Sequence, residues 1–364
     1  MVIKDIGEQG LLKILQKFCP PEIVGDDCAV MVTSPNQSLA VTTDMLVDGV
    51  HFSDRTTSPY DAGWRAAAAN LSDLAAMGAR PLGVTVALAV AADTAVLWVE
   101  EFYRGMTACL QVYQTPIAGG DVVRSPVVTV AITAFGEVER DRIISRSQAR
   151  SGWAIVATGV HGASRAGLEL LLNPEFGQNL EQGDRASLIL AHQRPQPRLD
   201  VLPVLWEILG CEDGMEPPLS PPLSKGGKPD LNSPPLSKGG PGGVNSPIAI
   251  AGMDSSDGLA DAIIQICQAS GVGAKVDRPK IPIPHIFSEL ISTETALEWA
   301  LYGGEDFELV LFLPLVQAQL LVEKIGNGAA IVGMTTDSTD IWLTDSSGIY
   351  PDVVLKLDRG FQHF

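Results

Sequence analysis

Aspartate recurs in this chain at positions where a charge is costly. The stretch NLSDLAAMGA (70–79) sets Asp73 on the small-residue face of an alanine-rich run. VGDDCAV (24–30), AVTTDML (40–46), IAGGDVV (117–123) and AGMDSSDGLAD (251–261) each place aspartate at the end of an apolar or small-residue run. A buried carboxylate without a partner costs several kcal/mol, so something must neutralise these groups. The candidates are Asp26, Asp27, Asp44, Asp73, Asp121, Asp254 and Asp257. Hard oxygen donors without histidine or cysteine companions point to Mg²⁺ rather than a transition metal. Mg²⁺ combines one or two carboxylates with substrate phosphates, and several ions on a polyphosphate require several carboxylates. Each residue alone has a plainer reading as a helix N-cap or turn residue, which Asp26 and Asp257 fit. Their joint occurrence is what favours metal and phosphate chemistry.

Glycine supplies the other half of a phosphate site. AGGD (118–121) follows an apolar, strand-like stretch, where Gly119 and Gly120 let backbone N–H groups approach a phosphate. YGGED (302–306) repeats the device ahead of a strand. Neither has the Walker A spacing, and there is no GxGxxG. Arg146, in SRS (145–147), is either a phosphate clamp or an ordinary surface arginine.

These residues need a scaffold, and 364 residues suffice for two domains with sizeable cores. The composition, 46% hydrophobic and 19% charged, is that of a globular protein. A net charge of −18 argues against nucleic acid as a partner, since phosphate backbones attract basic surfaces. Anionic small ligands stay open, because bound metal ions invert the local field. The five cysteines are odd in number and form no CxxC pair, so neither a zinc site nor a disulfide framework is indicated. A reducing, cytoplasmic setting is expected. The start, MVIKDIGEQG, lacks the apolar core of a signal peptide. LGVTVALAVAA (82–92) is too short to span a bilayer and reads as a buried strand.

Strand patterns fall at 39–43, 83–90, 127–135, 153–159 and 307–313, and helical patterns at about 60–77 and 94–112. Further helices are expected near 164–172, 184–191, 258–270, 294–301 and 314–325, and PRLDVLPVLWEILG is also helical in pattern. Gly78 is well placed to end the helix that carries Asp73, with Pro81 shortly after. The expected architecture is α/β with two domains: 1–137, an N-terminal mixed sheet with helices, and 138–364, a C-terminal α/β domain. An insert at 212–247 interrupts the second. It holds nine of the 25 prolines and repeats SPPLSKGG at 220–227 and 233–240. Such composition cannot order itself, and a passive surface insertion is the simplest reading.

GDDCAV, TTDMLVDGVHF, NLSDLAAMGA, AGGD, SRS, DSSDGL and GGEDFEL, in this order, resemble the thiamine-monophosphate kinase family over nearly the whole chain outside the insert. That family belongs with aminoimidazole ribonucleotide synthetase, selenophosphate synthetase and a hydrogenase-maturation protein, which share an ATP-binding plan and a two-domain fold. The resemblance implies ATP-dependent phosphorylation of thiamine monophosphate to thiamine diphosphate. It implies several Mg²⁺ ions on Asp27, Thr42, Thr43, Asp44, Asp73 and Asp121, with Asp254 and Asp257 adding contacts from the second domain. Gly120, Asp121, Arg146 and Ser256 would contact ATP, and His51 and Glu305 the thiamine phosphate, although His51 also suits a loop cap and Asp306 is as eligible an acid as Glu305. Members are typically homodimers paired through the N-terminal sheet. The tail departs from the family: LKLDRGFQHF has Asp358 where an aromatic residue stacks on the thiamine rings, leaving Phe361, Phe364 or Trp342 to substitute.

Phosphoryl transfer depends on charge neutralisation and in-line positioning rather than a covalent intermediate. The acceptor is an ionised phosphate oxygen, so no Ser-His or Cys-His pair is required. Two rivals stand beside this reading. One is another ATP-using superfamily member with a different acceptor. The start, up to EQGLLKILQKF, has no cysteine–lysine pair of the selenophosphate synthetase kind, and the chain ends in His363–Phe364 rather than a cysteine. The other is an inactive nucleotide-binding scaffold that uses the insert to hold a partner, which would not need so many buried acids.

Overall fold

The structure, a computed structural model, describes residues 1–20, 31–210, 249–326 and 328–356. The expected insert, Asp26, Asp27 and the tail from Leu357 to Phe364 lie outside the described residues.

Helix α1 (Ile3–Leu15) precedes strand β1 (Gln37–Val47), then α2 (Pro59–Ala76), β2 (Arg80–Val90), α3 (Val96–Val112), β3 (Ile117–Arg124) and β4 (Thr129–Glu139). The four strands form a mixed sheet in the order β1-β4-β2-β3, with β2 and β3 parallel and the other neighbours antiparallel. A second group follows: β5 (Ala154–Ala157), α4 (Ala163–Leu172), α5 (Gln182–Gln193), α6 (Val201–Ile208), β6 (Ala251–Asp254) and α7 (Leu259–Ser270). It continues with β7 (Gly273–Asp277), α8 (Phe287–Leu290), α9 (Thr293–Tyr302), β8 (Leu309–Leu313), α10 (Leu315–Ile325), β9 (Ala330–Thr336), β10 (Ile341–Thr344) and β11 (Val353–Val354). Its seven strands lie in the order β11-β10-β7-β9-β5-β8-β6. This is the expected mixture of helices with two mixed sheets. Strands β7, β9, β10 and β11 and helices α1 and α8 were not foreseen; the shortest of them carry too little periodicity to stand out.

One local expectation changes. Gly119 and Gly120 lie inside strand β3 rather than in a turn after a strand. A Cβ on Gly120 would run into the carbonyl oxygen of Val86 on β2. This glycine therefore permits close strand pairing.

Helix α2 meets both sheets. Ser58 caps it, its Oγ accepting the Asp61 N–H at 3.1 Å, and Pro59 begins it where no N–H is needed. Gly78 ends it in the left-handed region at φ 73°. Ala62, Ala66, Ala67 and Ala75 are buried, and two glycines bring α2 flush against α3. A Cβ on Gly63 would strike the Phe102 carbonyl, and one on Gly105 the Tyr60 carbonyl. Gly63→Ala would therefore force the helices apart, at a cost of about 1–3 kcal/mol. The small-residue face is a packing device. It lets α2 lie between β1 and β4 of the first sheet and β6 of the second.

The other face of the first sheet is different. Leu39, Val41 and Met45, alternate residues of β1, are 52%, 55% and 56% exposed. Among the described residues no helix is long and apolar enough to cross a membrane.

Candidate active site

Three elements bring carboxylates to one seam. Asp44 lies on β1 and Asp73 on α2. Thr42 donates its hydroxyl to Asp73 Oδ2 at 2.5 Å. Asn70 accepts the Asp44 N–H at 3.2 Å and donates to the Ala66 carbonyl at 3.0 Å, which fixes β1 against the helix. Asp254, the last residue of β6, accepts Ser72 Oγ at 2.7 Å and Ser256 Oγ at 3.2 Å. Asp257 follows, itself exposed, in the loop before α7.

These acids feel one another. Burial raises Asp44 to about 6, and the charges of Asp73 and Asp257 push the same way. Burial raises Asp254 to about 7; the Asp73 and Asp44 charges add to this, while the Ser72 and Ser256 hydroxyls oppose it. Asp73 is also raised, by burial, against the Thr42 hydrogen bond and the Arg146 charge. Arg146 donates to Gln265 Oε1 at 2.6 Å. Its charge also acts on Asp261, in the first turn of α7.

Among the described residues, the hydrogen-bond partners of the Asp73 and Asp254 carboxylates are hydroxyls. Among the described residues no three His, Cys, Asp or Glu side chains form a ready cluster for a metal ion. Asp44, Asp73 and Asp254 are neighbours in charge rather than in contact. An oxygen-only donor set with excess negative charge fits Mg²⁺ bound jointly with phosphate oxygens.

A second group lies beside the seam. Glu305 N–H donates to the Ser256 carbonyl at 2.7 Å, which joins the two loops. Glu305 adopts φ 59°. Its carboxylate pairs with Arg65 of α2 and lies 3.8 Å from His192 Nδ1. Asp306 plays another part. It is drawn into the start of α4, accepting the Gly162 and Ser164 N–H groups at 2.7 and 2.9 Å. Burial holds it up at about 7. Of the two adjacent acids, Glu305 is thus the partly exposed one and Asp306 the one bound into the fold.

Behind the loops, His161 is fully buried and pushed down to about 4 by burial. Its Nδ1 lies 3.0 Å from the Gly159 carbonyl, which only accepts, so this nitrogen carries the proton. Nε2 then accepts the Ser255 hydroxyl at 3.1 Å, and Ser255 Oγ accepts the Glu308 N–H at 3.2 Å. Tyr302, three residues before Glu305, lines a cavity of about 1080 Å³ with Leu297, Leu301, Trp342 and Tyr350. Trp342, one of the aromatic residues eligible in place of Asp358, therefore stands in the wall of the same cavity as Tyr302.

Residues 25–138 match the family model described as AIR synthase related protein, N-terminal domain. The thiamine-monophosphate kinase of Synechococcus elongatus is 44% identical over 362 residues, covering 100% of this chain and 98% of that protein. The chain belongs to the thiamine-monophosphate kinase family. Among solved structures, the thiamine-monophosphate kinase of Stenotrophomonas maltophilia superposes with a TM-score of 0.70 at 30% identity, covering 88% of this chain and 89% of that one. Another, described as AaThiL complexed with AMPPCP and TMP, gives 0.65 at 27% identity, covering 98% of this chain and 99% of that one.

Of the residues that the resemblance to thiamine-monophosphate kinases implied, Thr42, Asp44, Asp73, Asp254, Ser256 and Asp257 gather at the seam, with Arg146 acting on it and Glu305 bonded to it. Thr43 and Asp121 do not join them. Thr43 alternates onto the open face of β1, where its hydroxyl meets that of Thr133 at 2.9 Å. Asp121 is exposed on edge strand β3 in register with exposed Ala87, and its Oδ1 accepts the Val122 N–H at 2.8 Å. Gly120 precedes it on that strand. His51 Nδ1 accepts the Val47 N–H at 3.1 Å, the loop-capping contact. Asp27 and Asp358 lie outside the described residues. Sequence reasoning missed Arg65, Asn70, Ser72, His161 and His192. Arg65 and Ser72, seven apart, share a face of α2, which was the available signal. Their targets lie 240 and 182 residues away in the chain, and no local pattern announces them.

Proposed function

We propose that this chain transfers the γ-phosphoryl group of ATP to thiamine monophosphate, forming thiamine diphosphate and ADP by direct in-line displacement. Family membership supports the reaction, and one observation of the site carries it. Asp44, Asp73 and Asp254 converge from β1, α2 and β6, with two of them raised to about 6 and about 7 by burial and mutual repulsion. Such a site is unbalanced until cations and phosphates fill it.

In this reading Asp27, Thr42, Asp44, Asp73, Asp254 and Asp257 hold several Mg²⁺ ions, which neutralise the polyphosphate and the developing charge of the transferring group, while Thr43 and Asp121 contribute from the open face of the first sheet. Gly120, Asp121, Arg146 and Ser256 bind the nucleotide. Arg146 is exposed and reaches solvent-borne phosphate without desolvation cost. Glu305 faces the cationic thiazolium, and His51 and Asp358 belong to the same acceptor pocket. The acceptor phosphate is already ionised, so the protein orients it rather than removing a proton from it.

Residues 1–137 form the nucleotide and metal domain and residues 138–364 the acceptor-side domain, with 212–247 a passive insert. The exposed Leu39, Val41 and Met45 face supports a homodimer through the first sheet, which would also bring the open-face Thr43 and Asp121 close to a second copy. The setting is cytoplasmic. The test is a product assay with ATP and Mg²⁺, offering thiamine monophosphate or free thiamine. Thiamine diphosphate formed only from the monophosphate is the expected result. ATP turnover without that product would move the acceptor elsewhere in the superfamily.

A further inference from the structure

Helix α2 is bound to the second half of the chain along its first two turns. Arg194 pairs with Asp61 at 2.6 Å, and Trp64 Nε1 donates to the Pro195 carbonyl at 2.8 Å. Gln193 Nε2 donates to the Thr56 carbonyl, just before the helix, at 2.8 Å. Arg65 lies in the middle of this seam and is 3% exposed. Its guanidinium donates to the His192 carbonyl and to Glu305 Oε1, and its buried Nε has no partner among the described residues.

The two ends of this ion pair differ. Arg65 is walled in, whereas the Glu305 side chain is 36% exposed. His192 is a poor competitor for Glu305, because burial and the Arg65 and Arg165 charges keep its ring neutral. Its Nδ1 lies 3.3 Å from Ser164 Oγ and 3.4 Å from Arg65. The buried member of the pair belongs to the helix that also carries Asp73, and the partly exposed member to the loop bonded to Ser256.

We propose that Arg65 is a positioning residue for the acceptor: anchored by the His192 carbonyl, it aims the Glu305 carboxylate at the cationic ring of the incoming phosphate ester. The inference rests on the proposed kinase function. It assigns to α2 two tasks, holding the metal-side carboxylate Asp73 and orienting the acceptor-side carboxylate Glu305. The spacing between metals and acceptor is then set by eight residues of one helix rather than by two loops.

Steady-state kinetics on the full chain test this, with Arg65→Lys, Arg65→Met, Glu305→Gln and the double variant Arg65→Met/Glu305→Gln. Losing a hydrogen bond to a charged group should raise the thiamine monophosphate KM of Arg65→Met by roughly tenfold or more, leaving ATP KM and kcat within about threefold. Arg65→Lys keeps the charge but reaches one partner at a time, so its acceptor KM should rise only about threefold. The double variant should be no worse than Glu305→Gln. An unmoved acceptor KM, a parallel rise in ATP KM, or additive effects in the double variant would overturn the role. Should Arg65→Met fail to fold, Arg65→Lys decides alone: a selective rise in acceptor KM supports the role and no rise ends it. A wild-type protein that makes no thiamine diphosphate would sink the functional reading itself. An active wild type with unaltered Arg65 variants sinks only this inference.

Discussion

Ser72 donates its hydroxyl to Asp254 across 2.7 Å, joining a helix of the first sheet to the last residue of a strand in the second. Both side chains are buried, so the bond excludes water. Ser72→Ala should lower kcat/KM about tenfold, the worth of roughly 1.5 kcal/mol for a hydrogen bond to a charged acceptor. The Mg²⁺ concentration for half-maximal activity should rise as well. An unchanged Mg²⁺ titration would remove Asp254 from the metal-side machinery.

Asp44→Asn and Asp73→Asn should each cut turnover about a hundredfold or more, because the preorganised charge that neutralises phosphate is lost. Their stability should move the other way. Both carboxylates are held above their ordinary range by burial, and Asp44 is repelled by Asp73 and Asp257, so the neutral amide relieves strain in the metal-free fold. Thermal unfolding without Mg²⁺ should give an equal or higher Tm beside the loss of activity. A large fall in Tm would mean that these acids hold the fold together.

The same groups set a pH dependence. Asp44 at about 6 and Asp254 at about 7 lie above the 3.8 of a free aspartate. Between about pH 4 and about pH 7 these two groups bind more protons in the folded chain than in the unfolded one, so their contribution falls as pH rises through that window. His161, lowered from 6.5 to about 4, acts oppositely and favours the fold as pH rises through its own window. Mg²⁺ competes only with the carboxylate protons. The Tm gained on adding Mg²⁺ should therefore be larger at about pH 8 than at about pH 5. Equal gains at both would show that the metal does not bind these acids.

Glu305 and Asp306 are adjacent acids with separate expected effects. Glu305→Gln should raise the acceptor KM and also lower Tm, because the buried Arg65 loses its anionic partner while keeping an oxygen acceptor. Asp306→Ala should lower stability by about 1–2 kcal/mol, because Gly162 and Ser164 lose the partner of their N–H groups at the start of α4. Denaturant titration checks both stabilities, and acceptor kinetics separate the two. Crossed kinetics would reverse the assignment.

Much of this protein was legible in its sequence. The strands that became β1, β2 and β8 and the helices α2, α3 and α7 carry long apolar patterns, and such periodicity reports burial directly. Asp44, Asp73 and Asp254 were legible too, because a carboxylate at the end of an apolar run is costly wherever it folds. Their convergence was not legible. Sequence spacing gives the face of an element on which a side chain lies, but not the element that it faces. The tertiary structure alone pairs Ser72 with Asp254 and Arg65 with Glu305, separates Asp306 from Glu305 by drawing it to α4, and turns Thr43 and Asp121 to the open face. Local propensity acts over a few residues, whereas these contacts close over 182 and 240, through packing that no local pattern encodes.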